Sequence, residues 1–389
     1  MRFVLFLINP FISGIHSLIN INEKYACHFL YLWFIVFGIA FTANNQGADS
    51  YRYAADFVRE SNMTESQYIL AVQDYFTFES NTKDIYTLTI TFLVSRFTDN
   101  YHWTFFVYAI VFGLFYIKSL KYLVPYFSKT PFFYILLFLF CFSNPIFNIN
   151  GVRFWTAAWI GVYAVLKIYI DKKYQYLALL AVTPLIHGSF FIWIFFAVIA
   201  YIIPKPHKIL SVLYILSIFV SLGSYVSLLS DYSDMLPKFM SNMIWSYTES
   251  EDALEKLQNA GPLYARVLNS LPNLMLIILT SILIIKRKKF TKEGSFYSLV
   301  DKYIALVTLV NFSMAVPAIG HRFQQMTIPL LVLLWSHYLN ELKSSSFVLY
   351  WVPVAYAYVI FYWIRHMISV TELYLYVLPA PITFIHYLF

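Results

Sequence analysis

Charge is scarce in this chain of 389 residues. Asp, Glu, Lys and Arg together make up 12% of it, against 60% hydrophobic and 21% aromatic residues. Such a balance excludes a soluble protein built around one ordinary core, in which charged residues run near 25%. Cysteine is nearly absent: Cys27 and Cys141 are the only two, both inside apolar runs, so they read as small hydrophobes and no disulfide is expected. The phosphate-cradling pattern GxxxxGK[ST] is missing, as are GxGxxG after a strand, HExxH and any paired CxxC. Without them ATP is not the expected energy source, and dinucleotide or zinc chemistry loses its usual sequence support. No repeat recurs at a fixed period of 20 to 50 residues.

What is present is a succession of apolar runs, and lipid leaves helix as the form that satisfies their backbone. Expected spans are 3–18, 25–43, 101–122, 131–149, 151–170, 174–187, 189–203, 208–226, 263–285, 297–318, 322–340, 346–364 and 369–389. The fold class is therefore all-α, a single polytopic membrane domain over 1–389 with about 11–13 transmembrane helices. The first run lacks a small-residue cleavage pattern and reads as a span, not a signal peptide. Residues 85–97 are apolar, but thirteen residues of helix reach only about 20 Å, so they are expected as an interfacial or re-entrant helix.

Short basic loops give the orientation, because they stay cytoplasmic. The segment KRKKFTK at 286–292 is the clearest. The turns holding Lys118, Lys121 and Lys129, then Lys167, Lys172 and Lys173, then Lys205 and Lys208, agree with it when spans alternate. The outer face then holds the large segments 44–100 and 227–262. On this map 16 basic and 5 acidic residues fall inside, 11 basic and 15 acidic outside. The net charge of +7 is thus topology, and nucleic acid is not implied. Fifteen of 18 lysines lie inside, whereas eight of nine arginines lie outside: Arg2, Arg52, Arg59, Arg96, Arg153, Arg266, Arg322 and Arg365. Topology needs only positive charge; arginine adds a planar fork that grips phosphate or carboxylate with two hydrogen bonds.

Two of these arginines open apolar spans in similar words, Gly151-Val-Arg153-Phe and Gly320-His321-Arg322-Phe. Each is expected in about the first turn of an inward-running helix, where the dipole disfavours a bare cation and favours an anion held beside it. The glycines would allow backbone to approach a ligand closely. The other reading is that each arginine snorkels to headgroups or pairs with an acidic loop residue. His187, in the turn between two short spans, is a candidate proton carrier or phosphate donor, unless it is only hydrogen-bonded locally. His321 and the pair Arg365-His366 face the same side. The first outer segment opens with Asp49, Tyr51, Arg52, Tyr53 and Asp56, and aromatic rings beside acids commonly hold sugars, although an interfacial aromatic belt gives the same pattern. Asp74, Glu79, Asp84 and Asp99 follow, with Glu79 best placed beside aromatics. In the second outer segment 248–261 reads as a short capped helix, and Asp231 with Asp234 makes a weak divalent-metal candidate.

The order of these features resembles the EpsG and Wzy group of bacterial polysaccharide polymerases. Three places carry the likeness: Gly47-Ala-Asp49-Ser-Tyr51-Arg-Tyr53 after an early span; Arg153 opening a central span whose inner end holds Lys172-Lys173; and His187-Gly188-Ser189 one short span later. Phe154 stands where the family usually has Gln. The resemblance implies an O-antigen polymerase type of membrane glycosyltransferase with GT-C-like architecture, placed in the bacterial inner membrane and acting at the periplasmic face. It implies transfer of a glycan from undecaprenyl diphosphate to the terminal sugar of another lipid-linked repeat, as in lipopolysaccharide biosynthesis. Arg153 and Arg322, with Arg365 and His321, would then stabilise the departing diphosphate. A base among Asp49, Glu79 and His187 would take the proton of the attacking hydroxyl, Asp49 being favoured by the family pattern. Tyr51, Arg52 and Tyr53 would contact sugar. No cofactor is required and a divalent metal is optional. The implied partners are undecaprenyl-diphosphate-linked oligosaccharides and membrane lipid, with a chain-length regulator protein as a further candidate. Three alternatives stay open: an O-antigen ligase, expected to carry a larger outer domain; a flippase for the same lipid-linked sugar, expected to bury its cations centrally and show inverted repeats; and a polytopic acyltransferase.

Overall fold

A computed structural model describes residues 2–77, 84–202, 207–222, 262–288, 294–314, 317–342 and 347–389. Every helix and turn of helix among the described residues agrees with the all-α expectation, and pairing of extended backbone is limited to one isolated bridge between Phe41 and Thr371. Among the described residues three helices are long and apolar enough to cross a membrane by length and composition: His102–Phe127, Leu263–Lys286 and Phe347–Val370. Shorter apolar helices accompany them. Phe195, Ile202, Phe219 and Phe361 are exposed, as lipid-facing side chains are. The chain is a membrane protein.

The chain divides into two compact units. The first comprises 1–129, 144–190 and 361–389. Its centre is α3 (Ala26–Ile39), packed on α2 (Pro10–Ile19) and on α7 (His102–Phe127), with α7 in turn against α9 (Val152–Tyr169) and α9 against α10 (Leu177–Ile186). Lipid supplies no hydrophobic force between helices, so contact depends on small residues and close fit. Gly38 of α3 meets α7 so closely that an added Cβ would sit 2.3 Å from the Ala109 Cβ. Deeper in the same contact Phe34 meets Tyr116 at 4.5 Å, and Tyr116 meets Trp159 of α9 at 4.6 Å.

Two expected spans are not single helices. The run 3–18 breaks at Asn9-Pro10 into α1 (Arg2–Ile8) and α2, because Pro10 cannot donate a helical hydrogen bond and Asn9 caps the second helix by accepting from the Ile12 amide at 2.9 Å. The chain then folds back on itself. Arg2 is ion-paired with Glu23 and donates to the Lys24 carbonyl at 3.0 Å, which an unbroken helix from 3 to 18 would forbid. Arg2 therefore leaves the outer arginines and joins the end of the unit where α3 begins. The run 369–389 likewise becomes a 3-10 turn, Leu373–Tyr376, and a helix, Ala380–Leu388, whose nine residues reach about 14 Å. Its last carbonyls accept from Asn100 and Trp103 at the start of α7, at 2.8 and 3.1 Å, so the C-terminal segment returns to the end it left. Pro379 and Pro381 explain why no longer helix forms. The short apolar stretch at 85–97 becomes α6 (Ile85–Val94), ten residues packed on α4 (Asp49–Ser61), α7 and α10.

The second unit comprises 130–143 and 191–360. Within it α12 (His207–Leu222) packs on α14 (Gly294–Ser313), which packs on α15 (Pro317–Leu342), and α8 (Phe133–Ser143) also lies on α15. Polar pairs are matched inside it: Asn311 donates to Ser217 Oγ at 3.1 Å, Thr280 and Tyr303 share a hydrogen bond at 3.0 Å, and Gln324 donates to Asn273. Arg287, at the end of α13 (Leu263–Lys286), forms a buried ion pair with Asp301 of α14. The expected helix at 248–261 and the pair Asp231 and Asp234 lie outside the described residues.

Candidate functional site

Arg153 is the second residue of α9, two past the N-cap Gly151. Its Nη1 donates to Asp84 Oδ2 at 3.2 Å; the Asp84 side chain is 2% exposed and that of Arg153 25%. Asp84 is itself fixed, as the N-cap of α6: its Oδ1 accepts from the Thr87 amide at 2.7 Å and from Thr87 Oγ1 at 2.6 Å. Burial pushes the Asp84 carboxyl above its ordinary value, while Arg153 and the two Thr87 donors pull it back. The guanidinium is thus held from one side by a carboxylate that cannot itself turn.

Asp49 begins α4, where a carboxylate suits the helix dipole. Ser50 Oγ ties this terminus to the Thr42 carbonyl at 2.7 Å, and the Thr42 amide bonds the Val370 carbonyl at 2.9 Å. A Cβ at Gly151 would stand 3.5 Å from Asp49 Oδ2, an ordinary contact distance that shows this carboxylate lying against the first turn of α9, and 2.9 Å from the Trp155 ring, the neighbour the glycine makes room for. Asp49 also pairs with the exposed Arg52. Tyr53, one turn further along α4, is buried beside the same guanidinium; burial raises its hydroxyl to about 12, opposed by Arg153 and reinforced by Asp49 and Asp84. Tyr51 points to solvent, 37% exposed.

His187 follows the end of α10 in extended conformation. Its Nδ1 accepts from the Ser189 amide at 3.3 Å, with Ser189 Oγ at 2.8 Å. An amide can only donate, so Nδ1 carries the lone pair and the proton of the neutral ring sits on Nε2. Phe154 meets the imidazole edge-to-face at 5.3 Å, which couples His187 to the first turn of α9. His366 lies within electrostatic reach of Asp49, and Arg365 beside it is exposed.

The first unit thus brings together Asp49, Arg52, Tyr53, Asp84 and Arg153, with His187 adjoining. Glu79 lies outside the described residues. Arg322 and His321 belong to the second unit, and Arg322 is the sixth residue of α15, past the first turn where it was expected. Gly320 is correspondingly inside the helix: an added Cβ would come within 2.5 Å of Met314 Cα, so this glycine serves helix packing, in contrast to Gly151. Asp84, expected to be less well placed than Glu79, is the carboxylate that meets Arg153, and its signal in the sequence is Asp84-Ile-Tyr-Thr87 before an apolar run, an N-cap pattern that marks a fixed carboxylate. Among the described residues no three His, Cys, Asp or Glu side chains converge as metal ligands would.

A family model described as the EpsG family matches residues 4–378. No curated protein and no solved structure matches the chain.

Proposed function

The chain belongs to the EpsG family, which gives it a polysaccharide-polymerase-type role, and on that premise we propose that it joins lipid-linked oligosaccharide repeats at the periplasmic face of the bacterial inner membrane. The donor is a glycan on undecaprenyl diphosphate, the acceptor the terminal sugar of a second lipid-linked repeat, and the architecture is of the GT-C type. One observation carries the reading: Arg153 is clamped by Asp84 at the N-terminus of α9, with Asp49 held against the same turn.

In the reaction the acceptor hydroxyl attacks the anomeric carbon of the donor. A C–O bond forms there, the C–O bond to phosphate breaks, and the electron pair leaves with the lipid diphosphate. Negative charge grows on that leaving group, where helix N–H groups and a guanidinium stabilise it most. Arg153 has five donors, and Asp84 accepts one of them. The clamp fixes the plane of the fork, so the remaining donors meet two phosphate oxygens without first being ordered. Asp49, the more accessible carboxylate, takes the hydroxyl proton. His187 presents Nε2–H and acts as a donor to phosphate in preference to acting as the base. Tyr51 and Arg52, at the exposed side of α4, contact sugar. The chemistry needs neither nucleotide nor metal, because the donor phosphate is already activated. Arg365, in the same unit, is a further phosphate ligand in this scheme; Arg322 and His321 of the second unit stay phosphate candidates in their own right, each to be tested by its own substitution.

Purified protein is incubated with synthetic undecaprenyl-diphosphate-linked repeat, without nucleotide or metal. The proposal expects a ladder of polymer; absence of product, together with loss of all surface glycan in a deletion strain, points to a flippase or ligase instead. A deletion strain that keeps a single repeat on its lipid A core supports the polymerase.

A further inference from the structure

The far end of the first unit carries a second charged cluster that the polymerase reading does not use. Lys167, near the end of α9, donates to Asp171 Oδ2 at 2.8 Å, and Tyr122 of α7 donates to Asp171 Oδ1 at 2.5 Å. Asp171 thereby pins the two helices together at this end. Lys167 Nζ also stands 4.0 Å from the centre of the Tyr122 ring and 5.8 Å from that of Tyr163. Lys118 approaches Tyr163 at the same 5.8 Å and Phe115 at 5.3 Å. Lys118 is exposed and flanked by aromatic rings, so its ammonium is held at a defined place on the surface.

Exposed residues continue along one stripe of α7. Leu114 is 38% exposed, Lys118 follows one turn later, and Lys121 comes one turn after that. Positions i, i+4 and i+7 share a helix face. An apolar side chain thus leads into two ammonium groups, and the carboxylate of Asp171 is already engaged by Lys167 and Tyr122. Lysines at this end satisfy topology wherever they sit; topology does not require one to be bracketed by rings beneath an exposed apolar side chain.

We propose that this face of α7, with Tyr163 and Lys167 of α9 beside it, binds the phosphate of an anionic phospholipid headgroup, its acyl chain running along Leu114. Charge complementarity selects the occupant: two ammonium groups, with Asp171 already engaged, fit a phosphodiester with net negative charge, and a zwitterionic headgroup places its own cation against them.

Native mass spectrometry of the full-length protein, released from nanodiscs containing phosphatidylglycerol or phosphatidylcholine, tests this directly. Wild-type protein retains phosphatidylglycerol in preference to phosphatidylcholine. The double variant Lys118→Gln/Lys121→Gln weakens phosphatidylglycerol retention roughly thirty-fold, the loss expected of two lysines near an anionic surface. A control with equal charge loss, Lys24→Gln/Lys208→Gln, retains it as wild type does. Equal loss in both pairs shows only diffuse attraction and overturns the site, as does undiminished retention in the α7 variant. Displacement of the lipid by millimolar inorganic phosphate likewise contradicts it, since the acyl contact would then be irrelevant. Should the α7 variant be poorly folded, Leu114→Asn offers a second route: it leaves the charges intact and is expected to shorten lipid retention, and unchanged retention there removes the acyl contact.

Discussion

Two segments of this chain are nearly the same on paper, Gly-Val-Arg-Phe at 151–154 and Gly-His-Arg-Phe at 320–323, and fold into different settings. In the first, glycine is the cap, arginine follows at the second helical position, and a buried carboxylate 69 residues away holds the guanidinium. In the second, the helix has already begun at Pro317, so Arg322 lies past its first turn and the glycine is packed on Met314 backbone. The lesson is that an arginine near a helix start becomes a phosphate candidate through what fixes its fork and how the backbone ends there. Residue type and neighbours alone do not decide it.

Breaking the clamp should have the largest effect. Arg153→Ala leaves Asp84 buried without its cation and is expected to destabilise the first unit by about 3–5 kcal/mol, measured by unfolding in detergent. Asp84→Asn should cost less, since Asn can still cap α6, but it releases the fork. Double-substitution analysis of the two should show strong coupling. If the two effects simply add, the pair is not the organising contact.

The glycines separate the segments next. Gly320→Ala forces a Cβ into Met314 backbone and should lower stability by about 1–3 kcal/mol with any loss of activity following unfolding. Gly151→Ala meets the Trp155 ring at 2.9 Å, a side chain that can shift, and stands at ordinary contact distance, 3.5 Å, from Asp49 Oδ2. It should therefore reduce turnover more than it lowers the melting temperature. The reverse ranking would say that Gly151 is merely structural.

A smaller effect concerns pH. Burial, with Asp56 next, raises the Glu60 carboxyl in α4 to about 8, opposed by Arg59. Glu60 is thus neutral in the folded protein where an unfolded carboxyl is charged. Its stabilising contribution is complete below the ordinary carboxyl range and is lost as pH rises toward 8. Thermal unfolding between pH 5 and pH 8.5 should show a downward slope that Glu60→Gln flattens; an unchanged slope in that variant assigns the dependence elsewhere.

Much of the helical framework was legible because apolar runs and basic turns act locally. The first run, expected to span unbroken over 3–18, instead turns back at Asn9-Pro10, and only the contact of Arg2 with Glu23 reveals the reversal. The site was legible in part. Asp49, Tyr53, Arg153 and His187 are all named by local pattern, yet their grouping depends on contacts distant in sequence, such as Asp84 with Arg153 and Thr42 with Val370. Asp84 was harder to read for a physical reason: its N-cap pattern is local, but a carboxylate in an outer segment normally solvates, and its burial against Arg153 depends on a contact 69 residues away.

The central claim is that the Arg153 fork, oriented by Asp84, holds the diphosphate as it departs. Arg153→Lys keeps the charge and loses the fork, so the direct measurement is the polymerisation rate of this variant on synthetic lipid-linked repeat, beside its melting temperature. The account predicts a loss of about 10²- to 10³-fold, the scale of removing one transition-state donor, with the protein still folded. A folded lysine variant that polymerises at the wild-type rate would contradict it.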